Sequence, residues 1–309
     1  MAGGRTGMNG TPTIAPFVII TPAHNEEALI EQTLESMVAQ TVRPLKWVVV
    51  SDNSTDRTAE IVRRYAAQHD FMQLLEIRRD GTRHFGNKVH AFNAGLAEVG
   101  ALDYRYIGNL DADISLPSHY FESLLGELDS DPSLGLAGGM VATRIGDRFV
   151  SQNVAPDSVA GAVQLFRRAC FEQIGGYLAL PEGGIDSAAE IMARMKGWKV
   201  RTFAALQVLE HRRTGTASAP PVAAKVREGQ RLQSLGYGLL FLCLRCIYRS
   251  MDPPRLIGSA ATLLGYVQRR LSGAPVVLPA EVVSFLKTEQ QHKLLNSLRG
   301  AHVRHQRPL

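Results

Sequence analysis

The first half of the chain alternates short apolar runs with amphipathic stretches. Residues 17–20 are apolar and mostly β-branched, and the run stops at Thr21-Pro22. Such a run reads as a buried strand whose carboxyl end opens into a loop. Residues 28–40 place apolar side chains at 29, 30, 34, 37 and 38, which is helical spacing. Further strands are expected at 45–50, 74–77 and 104–110, with helices at 58–68 and 88–98 between them. This alternation predicts an α/β domain, a mostly parallel Rossmann-like sheet with helices on both faces.

Polar clusters follow three of these strands, at 21–26, 51–56 and 111–113. Open parallel sheets bind ligands outside the carboxyl ends of their strands, so the three clusters face one crevice. In the second cluster, Thr55 or Asp56 suits the cap of the next helix. Asp52 comes directly off the strand, where a carboxylate can accept a nucleobase N–H or a ribose hydroxyl. In the third, Asp111 and Asp113 are two residues apart and share a side if the segment is extended. Two such carboxylates can hold one hard divalent cation. Alone, the same spacing is also that of a solvated turn.

Composition fits this reading. Of 309 residues, 45% are hydrophobic and 20% charged, a globular balance that excludes bulk disorder. The net charge of +5 hides a split. Residues 211–309 carry 15 basic and 4 acidic side chains, a net of +11, which leaves 19 and 25, a net of −6, for residues 1–210. Three cysteines (Cys170, Cys243, Cys246) cannot build a disulfide framework, which suggests a reducing, cytoplasmic setting. The C-x-x-C of Cys243 and Cys246 has apolar helical flanks and no second pair, so neither zinc nor redox chemistry is expected there. Residues 1–13 read as a disordered lead-in without the apolar core of a signal peptide. The apolar stretches 235–247 and 256–267 fall short of a membrane span.

Four segments in order, VIITPAHNEEALIEQTLESMVAQT, WVVVSDNSTDRTAEI, GNKVHAFNAGL and YIGNLDADISLP, resemble the catalytic core of glycosyltransferase family 2, nucleotide-sugar enzymes of the GT-A fold. The resemblance covers residues 14–215. It implies a UDP- or other NDP-sugar donor, a Mn²⁺ or Mg²⁺ ion, and inversion at the anomeric carbon. By the same resemblance, Pro22, Ala23 and Glu26 line the nucleotide, Asp52 reads the base, and Lys88 lies near the phosphates. Asp113 then ligates the metal, and Asp111 serves the ribose or the edge of the metal site. His211 completes that site; otherwise it is a surface histidine at the end of a strand. Arg212 and Arg213 either clamp the diphosphate or lie on the surface.

Inversion needs a base for the acceptor hydroxyl. The resemblance places it in 176–203, where Asp186 of Gly183-Gly184-Ile185-Asp186 is the choice. Two departures from the family pattern keep Glu190 as a rival: Ile185 replaces the usual glutamate, and a gapless count back from Arg194 and Gly197 lands on Ala188. Asp186 also suits the N-cap of a helix over 187–195. Residues 163–176 resemble the acceptor-side segment, a strand, a short helix and a Gly-Gly turn.

Residues 216–309 lie outside the resemblance. One or two helices are expected over 225–249, edged by basic residues at 225, 227, 231, 245 and 249. This suits peripheral contact with an anionic membrane. The alternative is an extension packed on the catalytic domain, or a homodimer interface. No nucleic-acid-binding motif stands behind the basic excess. The resulting expectation is a metal-dependent transfer of sugar from a nucleotide sugar to a hydroxyl of a polysaccharide or lipid-linked glycan. A noncatalytic GT-A-like module and a nucleotidyltransferase are the competing readings. The second lacks its usual Gly-rich basic opening loop, since the first strand opens into TPAHNEE.

Overall fold

The computed structural model describes residues 15–80, 85–152, 155, 157–212, 221–251 and 254–305. The expected lead-in, Arg213 and the boundary near residue 215 lie outside the described residues.

The front half follows the alternation: β1 (Phe17–Ala23), α1 (Ile30–Val38), β2 (Lys46–Asp52), α2 (Thr58–Ala66), β3 (Met72–Ile77), α3 (Gly86–Val99) and β4 (Tyr106–Leu110). β1 pairs in parallel with both β2 and β4, and β2 with β3. Side chains alternate between the two faces of a strand, and both faces here are apolar. Phe17, Ile19, Trp47 and Val49 point into one buried cluster with Ile30 and Leu34 of α1. Val18, Ile20, Val48 and Val50 point into the other with Val89 and Phe92 of α3. That is why these strands read as continuous apolar runs. β1 and β2 run further than the apolar runs did, so Ala23 and Asp52 are still strand residues.

The chain then forms β5 (Ile114–Ser115), α4 (Tyr120–Ser130), β6 (Leu134–Ile145), β7 (Arg148–Ser151), β8 (Val163–Arg167), α5 (Arg168–Gln173), α6 (Ile185–Met195) and β9 (Lys199–Glu210). The sheet order is β3-β2-β1-β4-β8-β6-β9-β5, with β7 paired to β6. β8 is antiparallel to β4 and β6, whereas β6 and β9 are parallel. The 163–176 segment is the expected strand and short helix, followed by Gly175 and Gly176 at positive φ.

Four helices follow: α7 (Pro221–Ser234), α8 (Leu239–Tyr248), α9 (Ile257–Leu271) and α10 (Ala280–His305). Gly236, at φ 82°, separates α7 from α8, as glycine readily does at a helix end. Leu235, Leu278, Val282 and Leu286 enter the same apolar cluster as α6. Arg194 of α6 holds Glu289 of α10 at 2.6 Å, and Lys293 reaches Asp157 at 2.6 Å. The described extension is therefore packed on the core. α7 and α9 meet backbone to backbone. A Cβ on Gly229 would lie 1.9 Å from the Thr262 carbonyl oxygen, and one on Gly265 2.0 Å from that of Val226.

Gly265→Ala should accordingly lower the melting temperature. Alanine gains about 1 kcal/mol of helix propensity over glycine. The clash meets only backbone and costs about 1–3 kcal/mol or more. A thermal unfolding curve that shifts upward would contradict this packing.

Candidate active site

The loops after β1 and β2 are fastened to each other. Asn25 Oδ1 accepts the Thr55 N–H at 2.8 Å, Asp56 accepts the Glu27 N–H at 3.0 Å, and Glu27 accepts the Arg57 N–H at 3.1 Å. Asn25 and Asn53 both sit at φ 53°, a left-handed conformation that asparagine tolerates. Neither expected residue is the N-cap of α2, which is Arg57; Asp56, one position earlier, accepts the Thr58 N–H at 3.0 Å, and Thr55 is occupied with Asn25. Half-buried Pro22 and buried Ala23 close the end of β1 beside this junction.

Three carboxylates on this rim each meet a cation from another segment. Asp52 receives Arg79 through both oxygens, with Arg79 Nε at 3.2 Å from Oδ1. Arg79 is itself held by reciprocal bonds to Asn53, at 2.7 and 2.9 Å. His24 Nδ1 lies 2.6 Å from the Asp52 carbonyl oxygen. Glu26 is paired with Arg212. Asp111 is paired with Lys88 from the first turn of α3 and also accepts the Asn109 side-chain amide at 3.2 Å. Asn109 anchors to the Gly161 carbonyl at 3.0 Å and leaves its buried Oδ1 without a protein partner. Burial opposes the Lys88 charge, yet Asp111, Asp186 and Asp113 together raise its pKa.

Asp113 is the exception. Its side chain is 15% exposed, and its nearest cation, Arg212 Nε, stands 3.9 Å away. Burial, then the charges of Asp111, Glu210 and Glu26, push its pKa up to about 7. The Asp-Ala-Asp segment is not extended, contrary to the expectation. β4 ends at Leu110, and the chain turns so that β5 can pair antiparallel with β9. The turn is fixed by the Asp111 N–H donating to Ala162 at 2.8 Å and the His211 N–H donating to the Asp113 carbonyl at 2.9 Å.

His211 Nε2 lies 2.6 Å from Ser115 Oγ, and its ring stands edge-on to Phe149 at 5.7 Å. Burial, then Arg144, lowers its pKa. Among the described residues, no three acidic, histidine or cysteine side chains converge as a ready-made ion cage. The donor chemistry nonetheless fits Mg²⁺ or Mn²⁺: hard carboxylate oxygens from Asp111 and Asp113, the second of them poorly compensated. An ion held by Asp113 and Asp111 would draw the rest of its shell from substrate and water.

On the other side of Asp111 lies a cleft of about 1370 Å³. Lys88, Asn109, Asp111, Tyr177, Asp186 and Glu190 line it, and α7, α8 and α10 wall its outer side. Asp186 does not cap its helix, contrary to the expectation. Gly183 and Gly184, both at φ 87°, turn the chain early, so α6 starts at Ile185 and Asp186 stands in its first turn. Gly161 makes room for it, since a Cβ there would lie 2.9 Å from Asp186 Oδ2. The Asp186 carboxylate takes no hydrogen bond or ion pair from the described residues. Glu190 is 5% exposed and fully engaged, accepting the Ser158 hydroxyl at 2.9 Å and the Val159 N–H at 2.8 Å.

The sequence matches the family model "Glycosyl transferase family 2" over residues 18–179, more than half of the chain. The chain belongs to glycosyltransferase family 2. One relative is the probable glycosyltransferase YdaM of Bacillus subtilis, 35% identical over 96 residues, which are 30% of this chain and 22% of that protein. Another is the poly-beta-1,6-N-acetyl-D-glucosamine synthase of Staphylococcus epidermidis, 24% identical over 172 residues, 49% of this chain and 39% of that one. The family-2 chain thus spans less than half the length of these relatives. Two solved structures share the fold. The mannosyltransferase PcManGT of Pyrobaculum calidifontis, in complex with GDP-Man and Mn²⁺, aligns with TM-score 0.54 at 20% identity, over 91% of this chain and 81% of that one. S. aureus TarS 1–349 in complex with UDP-GlcNAc aligns with TM-score 0.53 at 15% identity, over 83% and 73%.

The sequence reading missed Arg79, Asn109 and Gly161. Arg79 had a signal, because Arg78-Arg79-Asp80 follows the third strand as the other polar clusters follow theirs. Asn109 sits inside an apolar run, and Gly161 has no local signature.

Glu190 yields a pH prediction. Burial, with the Asp186 charge, raises it from 4.5 to about 8. A carboxyl whose pKa rises on folding binds more protons when folded, so its contribution to stability is complete below 4.5 and is lost as pH climbs towards 8. Glu190→Gln removes that dependence. The stability of the unaltered protein should therefore fall relative to the variant by on the order of 2–4 kcal/mol across that window, read from denaturant midpoints. Parallel pH curves for the two proteins would refute it.

Proposed function

We propose that the protein transfers a sugar from a nucleotide sugar to a hydroxyl of a polysaccharide or lipid-linked glycan, with inversion. One observation carries this: Glu26, Asp52, Asp111 and Asp113 gather at the ends of parallel strands, and the least compensated of them, Asp113, is pushed up to about 7. A carboxylate in that state gains most from a cation. PcManGT was solved with GDP-Man and Mn²⁺, and TarS with UDP-GlcNAc, so the fold accepts more than one nucleotide. A UDP-sugar is the first donor to test here.

In this reading Pro22, Ala23 and Glu26 flank the nucleotide, and Asp52 with Arg79 offers the base an acceptor and a donor. Asp113, Asp111 and His211 would hold Mn²⁺ or Mg²⁺. The ion supplies Lewis-acid stabilisation of the departing diphosphate. Lys88 adds a fixed positive charge at the same place, where negative charge grows as the glycosidic phosphate bond breaks. Asp186 takes the proton of the acceptor hydroxyl as that oxygen attacks the anomeric carbon. Its uncommitted carboxylate, facing the cleft beside Asp111, supports it over Glu190, whose oxygens are occupied.

Asp186→Asn should lower kcat by about 10²–10⁴-fold, the usual worth of a general base. It should leave the thermal shift caused by donor and Mn²⁺ unchanged. Full activity in this variant, with loss in Glu190→Gln, would move the base to Glu190. Asp113→Asn should abolish the metal-dependent part of the donor-induced shift, measured across UDP- and GDP-sugars. A protein that none of these donors stabilises with either metal would refute the donor reading.

A further inference from the structure

Helix α8 presents an apolar face that nothing among the described residues covers. Leu240 and Ile247 are each 68% exposed, and Leu244 stands beside them. At about 100° per residue these three share one side of the helix. The surface continues past the helix end into exposed Met251, Leu256 and Ile257. Leu256 is held at φ 56°, uncommon for a branched side chain, and it is nonetheless presented outward. Isolated exposed apolar residues are ordinary, but a contiguous set of this size marks an interaction site.

The face does not stop at the solvent boundary. The next positions around α8 are Tyr248, then Phe241 and Arg245, and these line the catalytic cleft together with Leu244. One helix thus offers an uncovered apolar side and, continuous with it, a wall of the cavity that contains Asp186. Arg255, next to Leu256 in the chain, and Arg270, near the end of α9, are both exposed. Lys225, Arg231, Arg245 and Arg249 line the cleft side, where Glu228 pairs with Lys225 at 2.8 Å and lies 3.7 Å from Arg245. Arg231 packs against Gly184, the residue that starts the helix of Asp186, where a Cβ would lie 3.3 Å from Arg231 Cδ.

Charge selects the occupant. A second copy docking through this face by a twofold axis would bring the exposed Arg255, next to Leu256, towards its own equivalent. An anionic surface meets the opposite condition, and amphipathic helices with basic edges lie well in the interface of such bilayers. None of the described helices is long and apolar enough to cross a membrane. We propose that the exposed face of α8, with Met251, Leu256 and Ile257 beside it, docks on an anionic phospholipid bilayer and sets the mouth of the catalytic cleft at the lipid surface. The docking does not depend on which donor the enzyme uses.

The test is flotation of the full chain with vesicles of phosphatidylcholine alone, and with about a third phosphatidylglycerol. The protein should float with the anionic vesicles and be released by salt. Leu240→Ser/Ile247→Ser removes apolar side chains that lie outside the cleft lining, and should weaken binding by about tenfold or more. Arg255→Glu/Arg270→Glu should also weaken it, by about tenfold. Both variants should keep the melting temperature and the donor-induced shift, which separates lost docking from lost folding or donor binding. A protein that stays soluble with both vesicle types overturns the proposal, as does undiminished binding by the serine variant. Sedimentation closes the other route: a dimer that Leu240→Ser/Ile247→Ser turns into monomer, without vesicle binding, would assign the face to a second copy.

Discussion

The structure depends on how it neutralises a row of carboxylates at the ends of parallel strands. Bringing Glu26, Asp52, Asp111 and Asp113 to one rim is unfavourable unless each finds a positive partner, because like charges and burial both oppose ionisation. The fold takes those partners from distant segments: Arg79 after β3, Lys88 at the start of α3, and Arg212 after β9. Each pairing ties an element to the rim, so the same charges that prepare the site also fix its geometry. Asp113 is left short, 3.9 Å from a shared arginine, and that deficit is what a divalent ion would fill.

The same logic changes the meaning of the charge split. The +11 of the back region is not all held in reserve for an outside partner. Arg212 reaches Glu26, Arg269 reaches Glu182, and Lys293 reaches Asp157, three pairs that join a basic back to an acidic front. Glu289 returns the exchange to Arg194. The exposed pair of Lys293 and Asp157 contributes little, and the other three are partly buried. They orient the extension, while the burial of Leu235, Leu278, Val282 and Leu286 against α6 supplies the larger share of the adhesion. Arg255 and Arg270 remain exposed.

The parallel front half was legible because its strands are buried on both faces, so that 17–20 and 45–50 carry no interrupting polar residue. The polar ends of those strands were legible for the same reason. What the sequence hid follows from physics that acts over distance. The direction of β8 is set by pairing with β4, more than fifty residues away, and with β6, not by its composition. Lys88 stood out only by the family resemblance, and its pairing with Asp111 is made by the fold. The start of α6 was misplaced because two glycines at positive φ can begin a helix without any side-chain cap. The local letters around Asp186 therefore looked like a capping pattern.

That early start has a chemical consequence. A carboxylate used as an N-cap spends its oxygen on a backbone N–H, which stabilises the anion and makes it a weaker base. Asp186 is released from that duty by Gly183 and Gly184, and Gly161 gives it space on the cleft side. Glu190, one turn further along, takes the structural bonds instead, to Ser158 and Val159. The two acids of α6 thus divide the work by position. One holds the wall of the cleft together, and the other faces the cleft without a hydrogen bond from the described residues. The glutamate usually found before this aspartate is replaced by Ile185, which is buried in the apolar cluster beneath α6. The departure from the family pattern is in this chain a packing contact, and it leaves the aspartate that follows it facing the cleft.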